Sequence, residues 1–327
     1  MKIAKLFQKL EDGQIQCQAC IRECKISKGA TGYCQTRKNI NGKLFSLYYG
    51  YFSGIRIEPL KSKPFLYLPN SQSEKLFSPD EKTLSIGGFG CNFKCMGCQN
   101  FEVSRLPSDI DQKAIMASPQ EIVKMALVQN LKIIAFTWNE PSIMPEMVVD
   151  VAKIAKKQGL TTVYVSNGSL SKKHVDLIAP YIDAFRFDIK AGPNIGDAFY
   201  RNYCRLQIDS PVKKILETIK YTKSKGKHIE ILTVLIPTMT PSCIRSVINT
   251  AKWIKHNLGK ETPWHLAKFI PAGELLNPSL ITPDNLIDYL ASVAKLQGLT
   301  KINVIKDKGC DCFIPKNVKC LDCDCCH

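Results

Sequence analysis

No run of about 18 apolar residues occurs anywhere in the 327-residue chain, which excludes a membrane-spanning helix. The opening stretch MKIAKLFQKLEDGQIQ has no apolar core of the kind a secretory signal needs, so the expected compartment is the reducing cytoplasm. After the first dozen residues, the region up to about residue 80 has no long amphipathic helix. Nor is there a dense basic arm, although the formal charge is +16. Lys and Arg are scattered along stretches such as KIAKKQG and IKYTKSKGK, the pattern of solvated helix faces. A nucleic-acid or acidic-protein partner therefore rests on charge alone, and nucleic acid is not expected.

What the chain does have is cysteine. Hydrophobic and charged fractions of 45% and 23% are those of a globular protein able to bury a core, but fifteen Cys in a chain without a secretory signal is unusual. In a reducing compartment such clusters mean metal sites or redox chemistry more often than disulfides. Thirteen of the fifteen fall into three groups: Cys17, Cys20, Cys24 and Cys34; Cys91, Cys95 and Cys98; and Cys310, Cys312, Cys320, Cys323, Cys325 and Cys326. Only Cys204 and Cys243 stand apart.

The groups divide the chain into a Cys-rich N-terminal domain (1–80), a regular central domain (81–305) and a Cys-rich tail (306–327). In the centre, short apolar runs rich in β-branched and aromatic residues recur: TLSIG, KIIAFT, TTVYVS, AFRFDI, HIEILTVLI and PWHLAKF, with KINVI as a candidate seventh. These read as buried parallel strands. Helical patterns separate them, opened by Ser118-Pro119, Ser210-Pro211, Thr240-Pro241 and Thr282-Pro283 and closed by Gly159, Gly226, Gly259 and Gly298. The class is α/β. Six clear strands predict an open partial barrel, with a doubly wound sheet as the alternative. In either fold ligands sit at the carboxyl ends of the strands. Asn139-Glu140, Asn167-Gly168 and Asp188 to Lys190 follow strands there, although such residues also form turns.

The stretch GCNFKCMGCQN places three thiols in a C-x3-C-x2-C loop after the first strand. A structural zinc wants four protein ligands, so zinc would need a partner from elsewhere. A [4Fe–4S] cluster held by three Cys leaves one iron open to an outside ligand, such as the amino and carboxylate groups of S-adenosylmethionine.

This loop resembles that of the radical SAM superfamily. Together with FTWNEPS, VSNG, FDIKAG and PWHLAKFIPAG, and with CQACIRECKISKGATGYCQTRKNINGKL at the N-terminus, the chain looks like the radical SAM component of the AmmeMemoRadiSam system, a group related to pyruvate formate-lyase activating enzyme. The resemblance covers about residues 15–305. It implies a partial (β/α)6 barrel holding a [4Fe–4S] cluster on Cys91, Cys95 and Cys98, with S-adenosyl-L-methionine bound beside it. It implies an oxygen-free enzyme that cleaves S-adenosylmethionine reductively to a 5′-deoxyadenosyl radical. The electron would come from a low-potential donor, ferredoxin or flavodoxin. It carries cofactor contacts to Asn139, Glu140, Asn167, Asp188, Lys190 and His265. A strand His is otherwise often a core residue. Two departures stand out. Gly97 occupies the position where many relatives have an aromatic residue beside the adenine, which leaves Phe93 or a backbone segment for that contact. Lys268 stands where relatives often have Arg, and Lys cannot clamp a carboxylate with two prongs.

Cys17, Cys20, Cys24 and Cys34, among turn-forming Gly, suit a closed zinc site, or alternatively a second iron–sulfur cluster. For the tail, an auxiliary cluster, zinc and a thiol tail remain open readings. Cys204 is a candidate hydrogen-atom donor facing the cavity, or a small buried hydrophobe. The substrate is expected to be a small molecule or peptide. The alternatives are an activase that installs a glycyl radical on a partner protein, and a metal-trafficking protein on the same scaffold.

Overall fold

A computed structural model describes residues 1–70, 73 and 75–306. The six tail cysteines Cys310, Cys312, Cys320, Cys323, Cys325 and Cys326 lie outside the described residues. Eight strands form the central sheet: β1 (Gly54–Pro59), β2 (Lys82–Gly87), β3 (Ile133–Phe136), β4 (Thr161–Ser166), β5 (Ala184–Asp188), β6 (His228–Leu235), β7 (Trp264–Lys268) and β8 (Ile302–Ile305). They lie in sequence order. Strands β2 to β8 are all parallel, and β1 is antiparallel to β2. KINVI is thus a seventh parallel strand. β1 and β8 are not paired to each other among the described residues, so the sheet is an open barrel.

Among the described residues, six helices of seven or more residues lie between the parallel strands: α1 (Pro119–Val128), α2 (Pro145–Lys157), α3 (Lys172–Ile178), α4 (Pro211–Ser224), α5 (Ile244–Asn257) and α6 (Asp284–Leu296). The capping box at Ser118 forms as expected: its hydroxyl accepts from Glu121 N, and the Glu121 carboxylate accepts from Ser118 N. The other three starts differ. Ser210 adopts a left-handed conformation without a side-chain cap, and Thr240-Pro241 begins a 3-10 turn before α5. Thr282 uses its hydroxyl to accept from Phe269 N, tying the end of β7 down rather than capping α6. The predicted helix-ending glycines Gly159, Gly226, Gly259 and Gly298 all take positive φ, where a Cβ would be strained.

Alternation along the strands separates two apolar layers. Ile134, Phe136, Tyr164, Phe185 and Ile231 join the core shared with the helices. Ile133, Ala135, Val163, Val165 and Ala184 point the other way, into the barrel, where Leu60, Phe65, Leu68 and Phe77 meet them. Residues 1–80 therefore do not stand apart from the barrel. They supply its antiparallel edge strand and the plug that fills its floor, so the sheet runs across the expected boundary at residue 80. The rest of that region forms two small three-stranded antiparallel sheets around their own cluster of Ile15, Ile26 and Leu44. A buried two-pronged ion pair fastens it to α2: Arg37 Nη1 to Glu146 Oε2 at 2.9 Å and Nη2 to Oε1 at 3.1 Å. Among the described residues no helix is long and apolar enough to cross a membrane.

Candidate functional site

A cavity of about 180 Å3 opens at the carboxyl ends of the strands. Cys91, Cys95 and Cys98 line it from the loop after β2. Asn139 and Glu140 line it from the end of β3, Asn167 from the end of β4, and Asp188 and Lys190 from the end of β5. Four successive strand ends are thus brought to one space, as a parallel sheet with helices outside requires.

Burial governs the thiols. It pushes Cys91 and Cys98 above the ordinary cysteine range, with neighbouring negative groups adding to the effect, Glu140 at Cys91 and Cys95 at Cys98. Cys95 is raised first by hydrogen bonding with the Cys204 thiol, then by burial. Three thiols that resist ionisation alone become thiolates readily beside a bound cationic group.

The carboxylates divide by role. Glu140 is buried, and burial raises its pKa even though it accepts from Asn167 N (2.8 Å), Ser142 N (3.0 Å) and Ser166 Oγ (2.8 Å). Asp188 goes the other way. Burial would raise it, but Arg186 and Lys190 outweigh burial and hold it below the ordinary carboxylate range. Lys190 Nζ lies 3.0 Å from Asp188 Oδ2. Burial works against its charge, but Asp188 and the nearby thiols hold it well above the usual lysine range.

The two asparagines are spent on the loop itself. Asn139 accepts from Gly88 N (3.0 Å) and donates to Gly90 O (3.2 Å). Asn167 donates to Asn92 Oδ1 (2.9 Å), and Asn92 lies between the first two thiols in sequence. Both line the cavity, and both hold the thiol loop in place.

The family model of the radical SAM superfamily matches residues 85–251. The chain belongs to the radical SAM superfamily. It is also 30% identical to an uncharacterized protein of Methanocaldococcus jannaschii, over 96% of this chain and 89% of that one. A second protein of that organism, named "Putative glycyl-radical enzyme activating enzyme", is 25% identical over 53% of this chain and 70% of its own length. A solved domain of pyruvate-formate lyase-activating enzyme from Bacteroides vulgatus superposes with a TM-score of 0.43 at 16% identity, covering 52% of this chain and 96% of that one.

Radical SAM enzymes hold a [4Fe–4S] cluster and S-adenosylmethionine, and the residues present fit both. As the side chains stand, no three His, Cys, Asp or Glu among the described residues are arranged to hold a metal ion. A cluster would be held by Cys91, Cys95 and Cys98 as thiolates, and all three line one cavity. Gly97 has a packing reason. A Cβ there would lie 2.6 Å from the Tyr203 hydroxyl and 2.8 Å from the Phe269 ring. Those two rings, with Phe93, line the cavity and supply the aromatic surface that the residue before the third Cys does not.

Three candidates sit elsewhere. His265 does not line the cavity. It is buried in β7, where its Nε2 donates to Glu230 Oε2 at 2.7 Å and its Nδ1 has no partner among the described residues. Glu230 also accepts from Leu66 N and Tyr67 N of the floor plug, both at 3.0 Å, and from His228. A ribose contact from His265 therefore has no support in its position. Cys204 is also buried and faces the thiol loop rather than the open space. Its carbonyl accepts from Lys94 N at 3.0 Å, and its thiol meets Cys95. Lys268 pairs with Asp284 of α6 at 2.9 Å, outside the cavity.

Sequence reasoning missed Arg186. It lines the cavity two residues below Asp188 on the same face of β5. A charged residue at period two from an expected site residue, inside an otherwise apolar strand, was the available signal.

The N-terminal cysteines also share a space. Cys17, Cys20, Cys24 and Cys34 line a cavity of about 20 Å3 with Arg37 and Asn92. Burial pushes Cys17, Cys20 and Cys24 up. All nine described cysteines are free thiols.

Proposed function

We propose that Cys91, Cys95 and Cys98 hold a [4Fe–4S] cluster at which S-adenosylmethionine is cleaved reductively, and that the resulting 5′-deoxyadenosyl radical takes hydrogen from a small-molecule or peptide substrate. The observation that carries this is a shared space: three half-buried thiols from one loop line the same cavity as Glu140, Asp188 and Lys190. The cluster supplies the electron that breaks the sulfonium bond. The chain's residues do the rest. Glu140, at the end of β3, presents a carboxylate to the methionine ammonium. Lys190 presents an ammonium to the methionine carboxylate, with Asp188 keeping it charged and oriented. Asn139 and Asn167 fix the loop, and Phe93, Tyr203 and Phe269 shield the space from water. The electron comes from ferredoxin or flavodoxin, in an oxygen-free cytoplasm.

The test is 5′-deoxyadenosine formation by anaerobically reconstituted protein under a one-electron reductant, with Cys91→Ala as control. Wild type forms it and the variant does not. A reduced, cluster-loaded wild type that forms none overturns the proposal.

For Cys17, Cys20, Cys24 and Cys34 we favour a single zinc ion over a second cluster. The cavity of about 20 Å3 has room for roughly one water-sized group, which suits an ion once the thiols turn inward. Iron and zinc counts per chain separate the two.

A second reading, activation of a partner protein by installing a glycyl radical, is favoured by the Asp188–Lys190 pair and by the likeness to a protein named as such an activating enzyme. Hydrogen loss from a glycine of a co-purifying partner tests it.

A further inference from the structure

The floor of the active cavity holds a cation that the reading above does not use. Arg186 is 3% exposed and lines the cavity. Its Nη1 pairs with Asp188 Oδ1, but its buried Nε has no hydrogen-bond partner among the described residues. A buried guanidinium nitrogen without a partner is costly and calls for an explanation.

Its surroundings narrow the explanation. In the sheet, Val165, Arg186 and Glu230 stand side by side on β4, β5 and β6. Glu230 is the natural counter-ion, yet its oxygens are taken by two histidines and two backbone N–H groups of the floor plug. Asp188 is the other carboxylate within reach, and it is shared with Lys190. Asp188 is thus divided between two cations, Arg186 buried and Lys190 half-buried. With the methionine carboxylate on Lys190, as read above, the charges balance, and what Arg186 still lacks among the described residues is an acceptor at Nε, which an oxygen of one further carboxylate supplies.

Depth separates the two cations. Lys190 lies close enough to the thiol loop for its charge to act on Cys95 and Cys98, which places it beside the cofactor. Arg186 is two residues below Asp188, about 7 Å deeper along the strand at 3.3 Å per residue. With the cofactor against the loop, the space in front of Arg186 is where a reacting molecule sits.

Resting on the radical reading above, we propose that Arg186 anchors a carboxylate of the substrate, so that the substrate is a compact carboxylic acid whose acid end reaches the cavity floor. A two-pronged guanidinium–carboxylate contact holds the carbon to be attacked at a fixed distance from the cofactor.

The test is anaerobic titration calorimetry on the reconstituted, S-adenosylmethionine-loaded full chain with acetate, glycolate, succinate and glutamate, compared with Arg186→Gln and Arg186→Lys. At least one acid binds saturably to wild type. Arg186→Gln weakens it roughly tenfold or more, Arg186→Lys less, and both variants keep S-adenosylmethionine affinity within about twofold of wild type. The proposal is overturned if none of the acids saturates, or if Arg186→Gln binds them as wild type does. It is also overturned if Arg186→Gln loses affinity for S-adenosylmethionine but not for its decarboxylated analogue, which assigns Arg186 to the cofactor. Should Arg186→Gln fail to fold, the Arg186→Lys comparison decides by the same criteria. Saturable acid binding by a wild type that forms no 5′-deoxyadenosine would sink the radical reading and leave the anchor standing.

Discussion

The two described groups of thiols are alike in chemistry and opposite in setting. The loop thiols are half-buried and the N-terminal thiols largely buried, and removal of the sulfurs from water pushes thiols of both above the ordinary range. Cys91, Cys95 and Cys98 open on a cavity of about 180 Å3 that also receives Glu140, Asp188 and Lys190. Cys17, Cys20, Cys24 and Cys34 surround about 20 Å3 with Arg37 and Asn92 at its border, and Arg37 is locked onto Glu146. The lesson is that thiol spacing alone does not separate a reactive centre from a structural one. What separates them is whether the space beyond the sulfurs leads to unsatisfied charge or to closed packing.

The largest effect that would break this comparison is a swap of phenotypes. Cys91→Ala should reduce 5′-deoxyadenosine formation to background while leaving the thermal midpoint near wild type. Cys17→Ala should do the reverse, melting earlier while the purified folded fraction still forms the product. Product chromatography and calorimetry on both variants check this, and an inactive but equally stable Cys17→Ala would make the N-terminal group part of the chemistry.

Next in size is the fastening. Glu146→Gln leaves Arg37 buried without its counter-charge, and breaking such a pair costs about 3–5 kcal/mol. Urea unfolding should show that loss. A loss below about 1 kcal/mol would mean that the N-terminal region is held by its apolar contacts instead.

The smallest effect concerns the floor. Burial alone would raise Glu230, but His228 and His265 bring it down to about 2. A depressed carboxylate contributes stability above its unfolded pKa, about 4.3, and loses it as pH falls towards the folded value. Stability should therefore decline between about pH 4 and pH 2, and Glu230→Gln should flatten that slope in acid titrations followed by circular dichroism.

The parallel strands were legible because each is an apolar run bounded by turn residues, and the thiol loop was legible because its spacing admits few chemistries. Gly54–Pro59 escaped notice because GIRIEP carries charge, as an edge strand with one wet face can. The expected boundary at residue 80 followed from the change in composition there, but composition does not show that Phe65 and Leu68 thread into the barrel. His265 was read as a cofactor contact because its neighbours match the family. Its real partner, Glu230, lies 35 residues away in sequence, a distance no local pattern bridges. Arg186 was passed over for the complementary reason: within AFRFDI it looked like part of a strand, and only the cavity shows what it faces.

The floor plug has a consequence for biosynthesis. Leu66 and Tyr67 donate their backbone N–H groups to a carboxylate 164 and 163 residues later in the chain. At 5–20 residues per second, translation leaves that segment waiting on the order of ten seconds before Glu230 emerges. Until then, apolar Phe65 and Leu68 have no finished barrel to enter. The segment made early is sealed late, so a nascent chain stalled before β6 should expose this stretch to chaperones.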